Sequence, residues 1–491
     1  MTRAGQTLLA TGRGRALAVV LVGTFMGGLD TYVVNLALPT VAGALQTDIG
    51  AVQWVVLAYL LGITGLVVTF GRAADIYGTR PVFAAGLLTF TLGSALGGVA
   101  PGIGWLVAAR GLQGLGAAMM TAAGQAIVVE LYPEGERGRA FGWLHVAVSA
   151  GFTAGPTVGG YLIDQVGWRS VFFVNVPIGL LAALGAVRFL PQGQRQKGQS
   201  FDLPGAATLT VGLVAVLLGL SRAPKVGWGS AEFLVALLVA GVLLGSFVVI
   251  ERRAAQPIVD LALFRRWPFT AGLLAACLTF VAMASNMFLV PFLLQQLLAL
   301  PATQAGLVMI AVPLTILWVA PVGGRLVDRL GPRQPATAGL ALVTVAIVLL
   351  AMVRADTWPA WAAVVLALYG AGAGLFQAPN NSAVLGAAPP ERRGVASGTL
   401  ATMRQLGQVV GVAAAGALWA GRREAYSARL PAEEALELGF RDAFLGLALV
   451  GAVAALLSWT RQPRAGRPTL RPSEASPAAP GPKTPVPPGS A

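Results

Sequence analysis

The chain is poor in the residues that carry enzymatic chemistry. It holds one cysteine, Cys277, and one histidine, His145. A single cysteine inside an apolar run closes no intrachain disulfide and argues against redox chemistry. There is no Cys/His cluster with metal-ligand spacing. No Gly-Lys dipeptide occurs, which excludes a Walker A loop and nucleotide hydrolysis within this chain. Charge is scarce too: 11% of the residues are charged, against roughly 25% in a soluble protein. A chain without a catalytic cluster, a metal site or a soluble domain is not expected to be an enzyme, and no cofactor is expected.

What is abundant is apolar. Of 491 residues 56% are hydrophobic, 63 are glycine, and the mean hydropathy is +0.73. This composition belongs to an all-α polytopic membrane protein. The net charge of +14 raises the question of nucleic acid, but the basic residues lie in short gaps between apolar runs, where the positive-inside rule places them. A nucleic-acid surface would gather them on one soluble face. The basic start MTRAGQTLLATGRGR precedes an apolar run with no small-x-small cleavage site, so an uncleaved first helix is expected.

Runs of about 20 apolar residues, enough to cross a ~30 Å hydrocarbon core, fall at 16–38, 52–71, 82–100, 105–129, 140–162 and 170–190, then 203–221 and 231–251. The last six are 269–292, 303–324, 334–353, 358–379, 395–419 and 440–460. That makes fourteen spans. The arm, the even-numbered loops and the tail carry 24 of the 34 lysines and arginines, the odd-numbered loops 8. Both ends are therefore expected in the cytoplasm, in a cell-membrane (inner, cytoplasmic membrane) protein. The loop PIVDLALFRRWPF reads as an interfacial segment or a plain basic loop, and the Pro-rich tail as disordered. The loop from Gly421 to Arg441 is the longest on the outside, with a possible short helix in RLPAEEALELGF.

One stretch is written twice. GRAADIYGTR, residues 71–80, returns as GRLVDRLGPR, residues 324–333, with Gly, Arg, Asp, Gly and Arg at the same offsets 253 positions later. Arg137-Gly138-x-Ala140-x-Gly142 returns as Arg393-Gly394-x-Ala396-x-Gly398 after 256. Each copy of the first stretch reads as a tight loop between two membrane helices, and the matched spacing points to a duplicated half. The expected organisation is a cytoplasmic arm (1–15), a six-helix bundle (16–190), a linker with two extra spans (191–268), a second six-helix bundle (269–460) and a tail (461–491).

Asp30 is the one acid well inside a span, where a carboxylate costs a few kcal/mol unless paired, protonated or facing water. It is a proton or cation site, or one member of a structural pair. Asp30 lies about 21 Å in from the inner end of its span at 1.5 Å per residue, leaving about 9 Å to the outer face. Arg110 lies roughly 8 Å from the same face, so the two are candidate partners. Burial favours the protonated carboxyl and a neighbouring arginine the ionised one, so parting the pair would switch the protonation of Asp30. His145 reads as a hydrogen-bonded structural residue or a proton relay, and Asp164 stays open as a proton-transfer group. In the fifth span Ala147, Gly151, Gly155 and Gly159 form a small-residue stripe, with Pro156 and Gly160 beside it, fit for close helix packing. Asn35, Gln113, Gln377, Asn380, Asn381, Arg404 and Gln405 are candidate cavity-lining groups or plain packing residues.

In this order the motifs resemble the major facilitator superfamily, in its fourteen-span drug:proton antiporter branch. GRAADIYGTR is similar to the family's loop motif at Gly71, Asp75, Gly78 and Arg80, with Ile76 in place of the usual arginine. The second copy matches at Asp328, Arg329 and Gly331. LDTYVVNLALP (29–39), RGLQGLGAA (110–118), GFTAGPTVGG (151–160) and WRSVFFVNVPIG (168–179) resemble the branch's helix motifs. The resemblance implies a major facilitator fold with two six-helix bundles and two linker helices. It implies a proton-driven exporter of small lipophilic, cationic or neutral compounds, acting as a monomer in the bilayer and energised by the proton gradient. Asp30 would take part in coupling, Arg110 in proton transfer, and Asp75 would latch helix ends, weakly without an arginine at 76. The alternative is a dedicated exporter of one metabolite.

Overall fold

The structure, a computed structural model, describes residues 12–193, 203–227, 229–253, 263–389 and 392–461. The start of the N-terminal arm, most of the segment PIVDLALF and the tail after Arg461 lie outside these residues. A chain in lipid must satisfy its backbone groups internally, which leaves helices as the solution for long apolar runs. In chain order they are α1 (Gly12–Ala44), α2 (Ile49–Val52), α3 (Trp54–Tyr77), α4 (Thr79–Gly98), α5 (Ile103–Leu131), α6 (Glu134–Val166), α7 (Ser170–Phe173) and α8 (Asn175–Phe189). Two further helices, α9 (Leu203–Val226) and α10 (Ala231–Arg253), pack on each other. Then come α11 (Trp267–Phe292), α12 (Ala302–Met309), α13 (Ala311–Leu330), α14 (Arg333–Leu350), α15 (Pro359–Ala387), α16 (Arg393–Ser427) and α17 (Ala432–Trp459). Among the described residues twelve helical stretches are long and apolar enough to cross a membrane. Helices α9 and α16, where the sequence places two further spans, are not among those twelve.

The two halves are packed to one plan. In the first half α1 packs on α6 and α8, α5 on α3 and α4, and α4 on α8. In the second, α11 packs on α16 and α17, α15 on α13 and α14, and α14 on α17. Close approaches fix matching registers. A methyl on Gly114 of α5 would lie 2.5 Å from the Tyr59 carbonyl oxygen, and one on Gly370 of α15 would lie 2.6 Å from that of Val312. Gly151 of α6 abuts the Phe25 carbonyl as Gly407 of α16 abuts that of Cys277, and Gly179 meets Thr91 as Gly451 meets Thr344. With no side chain between them, such helices gain dense van der Waals contact in a solvent that gives no hydrophobic drive.

The doubled stretch differs from the expected loop. Helix α3 runs through Tyr77, so Arg72 and Asp75 are helical, and the reversal is one residue, Gly78, at φ 97° and ψ 149°. Its counterpart Gly331 has φ 73° and ψ 171°. Only glycine adopts this region readily, which lets two helices abut with almost no connection. The long loop expected on the outside is likewise mostly helix. Helix α16 continues to Ser427 and α17 starts at Ala432, so RLPAEEALELGF supplies the first turns of α17 and no separate helix. Pro431 stands at the N-cap, and Glu433 and Glu434 sit in the first turn, where carboxylates suit the helix dipole.

Candidate functional site

The first half encloses a polar network made from five of its helices. Arg110 on α5 donates through Nη1 to Asp30 Oδ2 on α1 at 2.6 Å and to Gln113 Oε1 at 2.8 Å, and through Nε to the Val55 carbonyl of α3 at 3.0 Å. Its guanidinium lies 4.3 Å from the Tyr59 ring centroid. Asp30 Oδ1 accepts from Asn175 Nδ2 of α8 at 2.9 Å and from Gln113 Nε2 at 3.2 Å. Asn175 Nδ2 also reaches Ser94 Oγ on α4, which donates to the Phe172 carbonyl. Asp30, Gln113, Ser94 and Asn175 are 0% exposed and Arg110 1%. Breaking so buried a pair leaves an uncompensated charge; here Asp30 is bonded through both oxygens and Arg110 through Nη1 and Nε. Of the expected cavity residues, Gln113 belongs to this network. Asn35 instead bonds back to the Thr31 carbonyl at 2.7 Å, and Gln377 is half-buried apart from it.

The side of the molecule away from the Gly78 and Gly331 turns is closed. Asp164, near the end of α6, accepts from the backbone N–H groups of Ala302 and Thr303 at 3.1 and 2.7 Å, so it caps α12 of the other half. Gln295, in the π-helical turn after α11, donates to the Leu36 carbonyl of α1 at 2.8 Å and accepts from Thr40. Gly160 and Gly306 bring α6 and α12 into backbone contact there, Gly306 against the Pro156 carbonyl. A cavity of about 290 Å³ remains between α2 and α16, lined by Asp48, Gln53, Gly416, Arg423 and Glu424. Gln53 is fully buried, and neither of its side-chain amide atoms has a partner.

Comparison with known proteins decides the family. The model of the Major Facilitator Superfamily matches residues 20–412 and again 273–488. The chain belongs to that superfamily. It is 35% identical over 415 residues to the multidrug resistance protein Stp of Mycobacterium tuberculosis, covering 84% of this chain and 75% of that one. It is 32% identical over 400 residues to the riboflavin transporter RibZ of Clostridioides difficile, covering 81% and 86%. A solved structure of a POT family transporter in complex with a thioalcohol-conjugated peptide superposes with a TM-score of 0.67, at 16% identity, over 90% of this chain and 95% of that one. That likeness shows the fold alone. The protein is thus a multi-pass membrane transporter of the superfamily and not an enzyme.

The superfamily loop motifs sit at the Gly78 and Gly331 turns. Asp75 approaches Arg72 at 3.9 Å, and Arg80 donates to the Val187 carbonyl of α8. Gly71 is half-buried, and Asp328 and Arg329 are exposed on α13. The fifth-helix motif faces α1: Gly151 and Gly155 abut Phe25, Leu29 and Tyr32, one turn from Asp30, and Gly159 abuts Val33. Pro156 lies within α6. His145 is exposed on α6, against the expectation of a hydrogen-bonded structural histidine. Arg404 bonds Asn381, and Arg461 bonds Asn380 at 2.7 Å.

Sequence reasoning did not find Asn175 or Ser94, although Asn175 stands in the quoted stretch WRSVFFVNVPIG. An asparagine near a span end reads as an interface residue until α8 turns it toward Asp30. It also missed that Asp164 and Gln295 join the halves, because capping partners 138 residues apart leave no local signal.

Proposed function

We propose that the protein is a proton-coupled antiporter that exports small lipophilic molecules, with the Gly78 and Gly331 turns on the cytoplasmic side. The carrying observation is the sealed Asp30–Arg110 pair at 2.6 Å. Arg110 and two amides donate to the Asp30 carboxyl, and rearrangement of α1 against α5 and α8 would strip those donors, after which burial of a bare carboxyl favours its protonated form. The small-residue contacts of α6 along α1 couple that rearrangement to the closed side, where Asp164 and Gln295 join the halves. Closure is held by these groups. Asp75 and its copy Asp328 act as latches on the cytoplasmic side.

The test is Asp30→Asn in inverted vesicles with an imposed pH gradient. The substitution keeps shape and removes titration. Uphill accumulation of a neutral substrate should be lost while its downhill movement survives. Accumulation with wild-type pH dependence would leave Asp30 as a structural partner only. A second reading, export of one dedicated metabolite, is favoured by the likeness to a riboflavin transporter. A panel of unrelated dyes decides it, since a dedicated exporter moves one chemical series.

A further inference from the structure

The second half buries cations as well, but without carboxylates. Arg404 of α16 lies between α15 and α11. Its Nη2 donates to Asn381 Oδ1, its guanidinium sits 5.5 Å from the Phe280 ring centroid, and its Nε is buried with no partner. Arg461, 3% exposed at the end of α17, donates through Nη2 to Asn380 Oδ1, and its Nε and Nη1 are unpaired. Asn380 Nδ2 is unpaired too. Among the described residues neither arginine meets a carboxylate. The four orphaned atoms of Arg404, Arg461 and Asn380 are all N–H donors. A group that would satisfy them is an acceptor only, which is the chemistry of a carboxylate, phenolate or phosphate.

In the first half the buried arginine has a carboxylate partner. Arg110 spends its donors on Asp30, Gln113 and the Val55 carbonyl, so Asp30 offers no free charge to a cationic compound. Buried electrostatics therefore favour an anion and give a cation nothing. Depth separates the two arginines. Arg461 stands at a helix end, where lipid phosphates lie. Arg404 is eleven residues into α16 from Arg393, about 17 Å along the axis, beyond the headgroups.

Resting on the exporter reading above, we infer that Arg404, held by Asn381 and Phe280, receives the acidic group of the exported compound, whose class is a lipophilic weak acid and not a cation. This departs from the cationic or neutral cargo that the family resemblance implies.

The test compares two xanthene dyes of similar size, anionic 5-carboxyfluorescein and the cationic ester rhodamine 123. Binding to the purified full-length protein is read by fluorescence polarisation. Binding needs no proton gradient, so failure of Asp30 as proton carrier leaves this readout standing. Wild type should bind the anion at least about tenfold more tightly than the cation. Arg404→Gln should remove about tenfold or more of that affinity, the worth of a charge-assisted bond, with rhodamine binding unchanged. Arg404→Lys should recover part of the loss, which a folding defect would not permit. Equal losses for both dyes, a wild type that prefers the cation, or one that binds neither would overturn the inference. A loss seen only in nanodiscs containing phosphatidylglycerol, and absent in neutral ones, would assign the site to a lipid and overturn it as well.

Discussion

The two halves share one skeleton and differ in what they bury at its centre. Glycine contacts pair α1 with α11 at an offset of 252, α4 with α14 at 253, α5 with α15 at 256 and α8 with α17 at 272. On that register Asp30, Ser94, Arg110, Gln113 and Asn175 stand opposite Ala282, Ile347, Leu366, Tyr369 and Leu447. The second set is also buried, none more than 3% exposed. One copy of the bundle therefore holds four aliphatic side chains and a tyrosine where the other holds an ion pair and three amides or hydroxyls. The fold needs neither charge. An uncharged core at these positions is sufficient for the packing, so the first half keeps its ion pair for something other than assembly.

The largest expected effect comes from giving the first half one residue of the second. Arg110→Leu copies Leu366 and leaves Asp30 with its charge uncompensated, which costs about 3–5 kcal/mol for a buried pair. Thermal unfolding in detergent should fall sharply, or the protein should fold only with Asp30 protonated and gain stability in acid. Copying both sides, Asp30→Ala with Arg110→Leu, should recover most of the lost stability and none of the pH-driven transport. If the double variant is as unstable as the single one, the two centres are not interchangeable and the register argument fails.

How much of this was legible in the sequence follows from the kind of signal. Depth along a helix is arithmetic, so Asp30 and Arg110 could be placed at one level before any fold was known, and they touch. The repeat was legible because glycine at a turn tolerates no substitute. The equivalence of Asp30 with Ala282 was not, since it rests on helix contacts whose offsets differ from helix to helix and on residues sharing no chemistry. Helix ends were poorly legible for a physical reason. Membrane thickness bounds the apolar run, but not the helix, and α6 starts at Glu134, six residues before its run, while α16 runs on to Ser427. Polar residues at such ends, Asp164 among them, look like loop residues until the cap is seen.

A middle-sized effect tests the contact between the halves. Asp164→Ala removes the cap on α12, worth about 1 kcal/mol, with no counterpart elsewhere to replace it. The closed side should open more often, by about fivefold at that energy. Nitroxides at Ala44 and Ala428, one in each half and both exposed, would report it as a larger long-distance fraction in pulsed dipolar spectra, with Cys277 replaced by Ala. An unchanged distribution would mean that the backbone contact of Gly306 with Pro156 holds the side shut without the cap.

The smallest effect separates the two copies of the loop motif. Gly78 and Gly331 share a backbone region that costs a side chain about 1–3 kcal/mol, so alanine should harm both. Their surroundings differ. A methyl on Gly78 would lie 2.7 Å from the Gln192 carbonyl oxygen, whereas one on Gly331 would meet nothing within 4 Å. Gly331→Ala should therefore pay the backbone cost alone, and Gly78→Ala should add the displacement of the chain after α8, which runs beside the Arg80 contact with Val187. The difference in melting temperature between the two variants should be a few degrees, with Gly78→Ala the lower. Equal melting would mean that the segment at Gln192 yields freely. The first-half turn would then differ from its copy in sequence only, and the asymmetry between the halves would be confined to the polar centre around Asp30.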